Sequence, residues 1–183
     1  MNWRSRYASA LSPLAFLLVV LAGCGVFERP ELPRPVVSAA EATNAPQTQL
    51  VLRLKERRLY LVENDVKQPP GGYRVAIGQP KWPTPTGRFQ VNQMVENPEF
   101  LTFDFNHPAK PDSGRVPPGP NNPLGLRWIG FASAYGWEVG FHGTAKTAVL
   151  GQAVSHGCVR MSNPDIVEVF KHVRVGTPVV VED

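Results

Sequence analysis

Only one stretch of this chain, around residues 162–176, repeats apolar side chains at helical spacing, and that scarcity does most to limit the fold. There Ile166, Val167, Val169, Phe170 and Val173 fall on one helical face. Ser162 is a capping residue, Pro164 suits a first turn, and Asp165 complements the positive end of the helix dipole. Gly176 is expected to close the helix. Elsewhere the apolar period is two. Leu50, Leu52 and Leu54 alternate with Val51, Arg53 and Lys55, and Leu59 and Leu61 lead into Glu63-Asn64-Asp65, a hairpin turn. Residues 73–78, 89–95, 126–132, 137–141 and 178–182 read as further strands. The expected fold is mainly β with one or two helices, a sandwich or barrel-like sheet.

Proline and glycine mark where the strands stop. Pro83 and Pro85, at alternate positions, remove backbone donors, so residues 82–87 read as a rigid surface loop rather than a central strand. Residues 106–123 form a second Pro/Gly-rich stretch, long enough to be functional. Before residue 48 the pattern changes. Arg4 and Arg6 precede an apolar run over 14–21, too short for a bilayer, which ends in Leu21-Ala22-Gly23-Cys24. That ending resembles a bacterial lipobox, which implies cleavage before Cys24 and lipid attachment to its thiol. The organisation expected is a signal peptide over 1–23, a lipid-anchored Pro/Ala-rich linker over 24–47 and a folded domain over 48–183. Gly25 after Cys24 favours an outer membrane.

The chemistry gathers near one thiol. Cys158 lies in Ser155-His156-Gly157-Cys158-Val159-Arg160-Met161, and with Cys24 lipidated no disulfide partner remains in an exported chain. A lone thiol in an oxidising compartment is a liability unless chemistry requires it. Two histidines, His142 and His156, can supply the base that turns a thiol with a pKa of about 8.5 into a nucleophile. The full chain carries 19 Lys+Arg against 15 Asp+Glu, a formal charge of +4, and loss of Arg4 and Arg6 with the leader halves it. No basic block remains, so nucleic-acid binding has little support. A zinc site from His142, His156 and Cys158 is disfavoured, because the last two are only two residues apart and no further close ligand is evident.

Phe141-His142-Gly143-Thr144, with twelve residues between His142 and the following Ser155-His156-Gly157-Cys158, resembles the signature of the L,D-transpeptidase (YkuD-like) catalytic domain. Thr84-Pro85-Thr86-Gly87 and Asn122-Pro123-Leu124-Gly125 extend the resemblance over residues 49–182. The resemblance implies that Cys158 is the nucleophile, His142 the general base and acid, and the Gly143 carbonyl the group that orients the imidazole. The amides of Gly157 and Cys158 are candidates for an oxyanion hole. His156 is open between three roles: holding its loop, lining the acceptor channel, or serving as the base. Arg160 can grip a substrate carboxylate or form a structural ion pair. Ser155 is expected to bond its own loop, and Trp82, Trp128 and Trp137 to form core or cleft wall.

The implied reaction takes peptidoglycan stem peptides and needs no metal or cofactor. Cys158 attacks the amide after the third stem residue, expels the terminal D-residue, and the thioester passes to an amine. Another stem, a free D-amino acid, a protein lysine and water all remain open as acceptors. Two alternatives stand beside this reading: hydrolysis at the same site as a carboxypeptidase or endopeptidase, and a catalytically silent wall-binding lipoprotein. The expected location is periplasmic, anchored to a membrane through Cys24.

Overall fold

The computed structural model describes residues 47–102, 104–107 and 114–183. The expected leader, Cys24 and all of the linker except Gln47 lie outside the described residues. Thirteen strands and one α-helix are formed among those described: β1 (Thr48–Arg53), β2 (Arg58–Glu63), β3 (Val66–Arg74), β4 (Ile77–Gly78), β5 (Gly87–Gln90), β6 (Gln93–Glu96), β7 (Phe100–Thr102), β8 (Gly114–Val116), β9 (Arg127–Ala134), β10 (Trp137–Thr144), β11 (Ala153–Ser155), β12 (Val159–Ser162), α1 (Asn163–His172) and β13 (Pro178–Glu182). The mainly β architecture is the one the alternation implies. None of the described helices is long and apolar enough to cross a membrane.

Two sheets do most of the work. The larger runs β3-β2-β1-β13-β5 and the second runs β12-β10-β9-β6; β4 with β11, and β7 with β8, form small pairs. Leu50 and Leu52 of β1, Leu59 and Leu61 of β2, and Val179 and Val181 of β13 are buried against Ile129, Phe131, Val139, Phe141, Val159 and Met161 of the second sheet. Both sheets thus present their apolar faces to one core, as a period of two requires. Helix α1 adds Ile166 and Val169 to that core. Its start is fixed as the sequence implies, with Ser162 Oγ accepting the Asp165 amide at 3.2 Å. The turn at Asn64-Asp65 joins β2 to β3 with both residues at positive φ, which suits a two-residue hairpin. Gln47, the one described linker residue, is tied to that turn through Asn64.

Three expectations need correction. Residues 89–95 are not one strand. β5 pairs with β13 and β6 with β9, so the chain passes from one sheet to the other at Val91-Asn92, and Val91 enters the core there. Gly176 does not close the helix. Val173 leaves it in an extended conformation because its side chain is drawn into the core, and Gly176 lies in the turn before β13 with its amide on Val91 O at 2.8 Å. Residues 73–78 belong to two strands: Tyr73 and Arg74 end β3, and Ala76 makes a separate bridge to Arg160 before β4. Strand β3, with Pro69 and Pro70, lies at the edge of the larger sheet, the position where missing amide donors cost least.

Candidate active site

The register of the second sheet assembles the site. His142 on β10 is opposite Trp128 on β9, Trp128 is opposite Val95 on β6, and on the other side His142 is opposite Arg160 on β12. Opposed residues in a sheet point to the same face, so Val95, Trp128, His142 and Arg160 form one row on the face turned away from the core. The next row holds Gln93, Gly130 and Gly140, and continuing the β10–β12 register two residues back sets Cys158 beside Gly140. A further row pairs Ser133 with Glu138. These rows floor a cleft of about 630 Å³ whose lining includes Cys158, His142, His156 and Arg160. A separate depression of about 720 Å³ near the end of α1 contains His172, Lys171 and Arg174 but no thiol.

His142 is 5% exposed, and its Nδ1 is 2.8 Å from the carbonyl oxygen of Gly143. A carbonyl only accepts, so Nδ1 carries the proton and Nε2 keeps its lone pair. Burial pushes the imidazole down to about 4; the Gly143 bond opposes that shift and the Arg160 charge adds to it. The imidazole is therefore neutral at pH 7. Burial likewise pushes the Cys158 thiol up, against smaller pulls from the Gly140 backbone and Arg160. At neutral pH the two groups are thiol and imidazole rather than thiolate and imidazolium. Cys158 Sγ is 3.8 Å from the Glu138 carbonyl oxygen, a weak contact for a thiol donor.

Close packing behind β10 holds His142 in place. Gly143 and Gly125 leave no room for side chains: a Cβ on either would come within 2.3 Å of Asn163 Oδ1. That oxygen accepts the Leu126 amide at 3.1 Å, and Asn122, itself buried, bonds the carbonyls of Pro98, Val116 and Pro117. The Asn-Pro-Leu-Gly segment thus braces the strand that carries the imidazole. In front, the Trp128 ring lies 6.1 Å from the His142 ring at 25°, and its Nε1 donates to Gln93 Oε1 at 2.9 Å. A Cβ on Gly140 would be 2.8 Å from Trp128 Cζ2, so the glycine makes room for this cover.

The loop before Cys158 is fixed by several bonds. Ser155 Oγ donates to the Cys158 carbonyl at 2.5 Å and accepts the Gly157 amide at 3.2 Å. Ser155 bonds its own loop, and the Gly157 amide expected in an oxyanion hole is engaged within that loop. Offering it to an oxyanion requires the Ser155 hydroxyl to let go. Buried Thr84 accepts the Gly78 amide and donates to the Gly157 carbonyl, both at 2.9 Å, which gives the Thr-Pro-Thr-Gly segment a structural purpose. Tyr135, at φ +60 in the turn between β9 and β10, donates its hydroxyl to Pro83 O at 2.7 Å. A Cβ on Gly157, whose φ is +105, would be 3.4 Å from that ring.

His156 is placed as a wall residue. Its ring stacks on Phe105 at 3.9 Å and lies 4.4 Å from Trp82, and its carbonyl accepts from Trp137 Nε1 at 3.1 Å. Burial is the first cause of its lowered pKa, followed by the charges of Arg160 and Lys81. All three tryptophans of the expected wall set therefore frame the cleft or its rim. Arg160 is held by its backbone to Ala76 on one side and β10 on the other. Its side chain lines the cleft, makes no ion pair with a described carboxylate, and interacts electrostatically with Cys158. Among the described residues no cluster of three or more His, Cys, Asp or Glu side chains is disposed to hold a metal. Sequence reasoning gave Thr84 no role beyond its motif and missed Asn163, Tyr135 and Glu138 at the site, because each enters through register or turn geometry rather than as a reactive residue.

The family model for the L,D-transpeptidase catalytic domain matches residues 47–181. Over 125 residues the chain is 36% identical to YqjB of Bacillus subtilis (strain 168), which bears the name of an L,D-transpeptidase; the match covers 67% of this chain and 64% of that protein. ErfK/SrfK of Salmonella typhimurium (strain LT2), similarly named, is 32% identical over 143 residues, covering 73% of this chain and 44% of its own length. The chain thus spans less than two thirds of either relative. The crystal structure of L,D-transpeptidase 3 from Mycobacterium tuberculosis superposes with a TM-score of 0.59 at 19% identity, over 76% of this chain and 62% of that one, a likeness of fold.

Proposed function

The chain belongs to the L,D-transpeptidase catalytic-domain family, and on that premise we propose that it is a peptidoglycan L,D-transpeptidase working through a thioester on Cys158. The observation that carries this reading is one cleft lined by a thiol, an imidazole with its proton held on Nδ1, and an arginine without a described carboxylate partner. In the acylation step the sulfur attacks the carbonyl carbon of the amide after the third stem residue, and His142 Nε2 takes the thiol proton. The tetrahedral intermediate collapses, the C–N bond breaks, and the same proton leaves with the amine of the terminal D-residue. In the second step an acceptor amine attacks the thioester, the C–S bond breaks and the sulfur regains a proton through His142. Arg160 would receive a carboxylate of the stem, and His156, stacked between aromatic rings, would line the channel.

Lipidation of Cys24, tethering by residues 25–47 and a periplasmic position at the outer membrane complete the proposal. The support is the Leu-Ala-Gly-Cys ending after a short apolar run. Mass spectrometry of the mature N-terminus checks it: a diacylglyceryl-modified Cys24 is expected, and an unmodified cysteine rejects it.

The main test incubates purified full-length protein with disaccharide–tetrapeptides. Release of the terminal D-residue and formation of cross-linked dimers are expected, as is a mass adduct on Cys158 with a carbapenem. Cys158→Ala should lose both product and adduct. Turnover that persists in that variant defeats the mechanism, and product limited to shortened stems assigns hydrolysis instead.

A further inference from the structure

Building on that reading, we propose that Glu138 is the acceptor-side counterpart of Arg160: a carboxylate that receives the incoming amine as an ammonium ion. Positions 138, 140 and 142 of β10 face the cleft, with Cys158 beside Gly140. At about 3.3 Å per residue, Glu138 and His142 stand about 13 Å apart along the strand, with the sulfur between them. Arg160 is level with His142, so the two charges flank the thiol on opposite sides of the same face. Neither has an ion-pair partner among the described residues, although most charged side chains near the cleft are committed. Glu99 pairs with Arg115 at 2.9 Å, Arg127 with Glu96 at 3.1 Å, and Lys81 bonds Asn106 at 3.0 Å while lying over the Trp82 ring.

The carboxylate is also held. Ser133, its neighbour across the β9–β10 ladder, donates its hydroxyl to Glu138 Oε1 in a short hydrogen bond. One oxygen is thereby fixed, Oε2 has no hydrogen bond or ion pair within the described residues, and the residue lines the cleft. The backbone carbonyl of the same residue is 3.8 Å from Cys158 Sγ, so the residue that would hold the cation borders the sulfur. A leaving D-residue departs as a neutral amine once His142 has protonated it, whereas an acceptor arrives from water as an ammonium. Only the second gains from a carboxylate. The ammonium sheds one proton to water and attacks; the C–N bond forms, the C–S bond breaks, and the second amine proton passes through His142 to sulfur. Glu138 thus favours a cationic amine over water and over neutral nucleophiles.

The experiment separates donor from acceptor. Full-length wild type and Glu138→Gln are compared for the burst of D-residue released on acylation. They are then compared for transfer to cadaverine, a cation at pH 7, and to hydroxylamine, which is neutral there. The burst reports on the transpeptidase reading alone. The variant should keep that burst, raise the KM for cadaverine about tenfold, leave transfer to hydroxylamine unchanged, and divert more thioester to hydrolysis. An unchanged KM for cadaverine, or an equal loss with both nucleophiles, overturns the role of Glu138 while leaving the reaction intact. If the wild type gives no burst, the reaction itself is wrong and the proposal falls with it.

Discussion

Strands β9 and β10 have two faces that obey different rules. Turned inward are Ile129, Phe131, Val139 and Phe141, none more than 3% exposed. Turned outward along the same strands are Trp128, Gly130, Glu138, Gly140 and His142. The inner face is apolar and filled; the outer combines a large ring, two positions without side chains and groups that can titrate or carry charge. Alternation lets one pair of strands meet both demands, because a change at one position leaves its neighbours' faces alone. Val139 and Phe141 of β10 fill the core, while Glu138 and His142 line the cleft.

The sharpest way to break that separation is on the inner face. Phe141→Ala should lower unfolding stability by about 3–5 kcal/mol through lost burial and a residual cavity. The molecules that remain folded should still acylate at Cys158. A denaturant midpoint paired with the D-residue burst checks both halves, and loss of chemistry in fully folded protein would show that the faces are coupled.

A smaller effect comes from the outer face, through pH. Folded His142 stays neutral down to about 4, whereas an unfolded histidine takes a proton near 6.5. Between those values the unfolded chain binds more protons, so stability falls as pH drops, by about 3 kcal/mol over the whole window. His142→Gln should remove most of that acid sensitivity while abolishing turnover. Chemical denaturation at pH 7 and pH 4 measures the difference; equal slopes for both proteins would mean that His142 is solvated.

The smallest effect belongs to a residue on neither face. His172 on α1 is 3.0 Å from Glu63 and 3.1 Å from Glu168, and hydrogen bonding to Glu168 leads the causes that raise its pKa. Its stabilisation is complete below about pH 6.5 and fades as pH rises through the raised folded value, opposite in sign to His142. Because these ion pairs are exposed, His172→Gln should cost less than about 1 kcal/mol. Melting curves at pH 6 and pH 9 test it, with the variant matching the wild type at the higher pH.

Much of this was legible in the chain. The alternation at Leu50, Leu52, Leu59 and Leu61, the hairpin residues Asn64 and Asp65, and the capped start of α1 are local signals, and local signals survive folding. Cys158 and His142 stood out because reactive residue types in a short motif are chemically conspicuous. What stayed hidden depended on which strand lay beside which. Nothing near Val91 announces a change of sheet, since its neighbours keep alternating. Trp128 could be assigned to a wall but not to His142 until the β9–β10 register, with its shift between Val139 and Gly140, was known. Glu138 looks like any exposed strand carboxylate until that same register places it by the sulfur.

The parallel pairing of β1 with β13 has a consequence for how this domain comes into being. Leu50 meets Val179 at the centre of the larger sheet, so the first of the described strands to emerge during synthesis cannot find this neighbour until almost the whole domain has been made. Long-range pairing of this kind slows folding. A newborn chain must therefore wait, unclosed, with β1 and its leucines available to other binders, and deletion of residues 178–182 should leave a polypeptide that never completes that sheet.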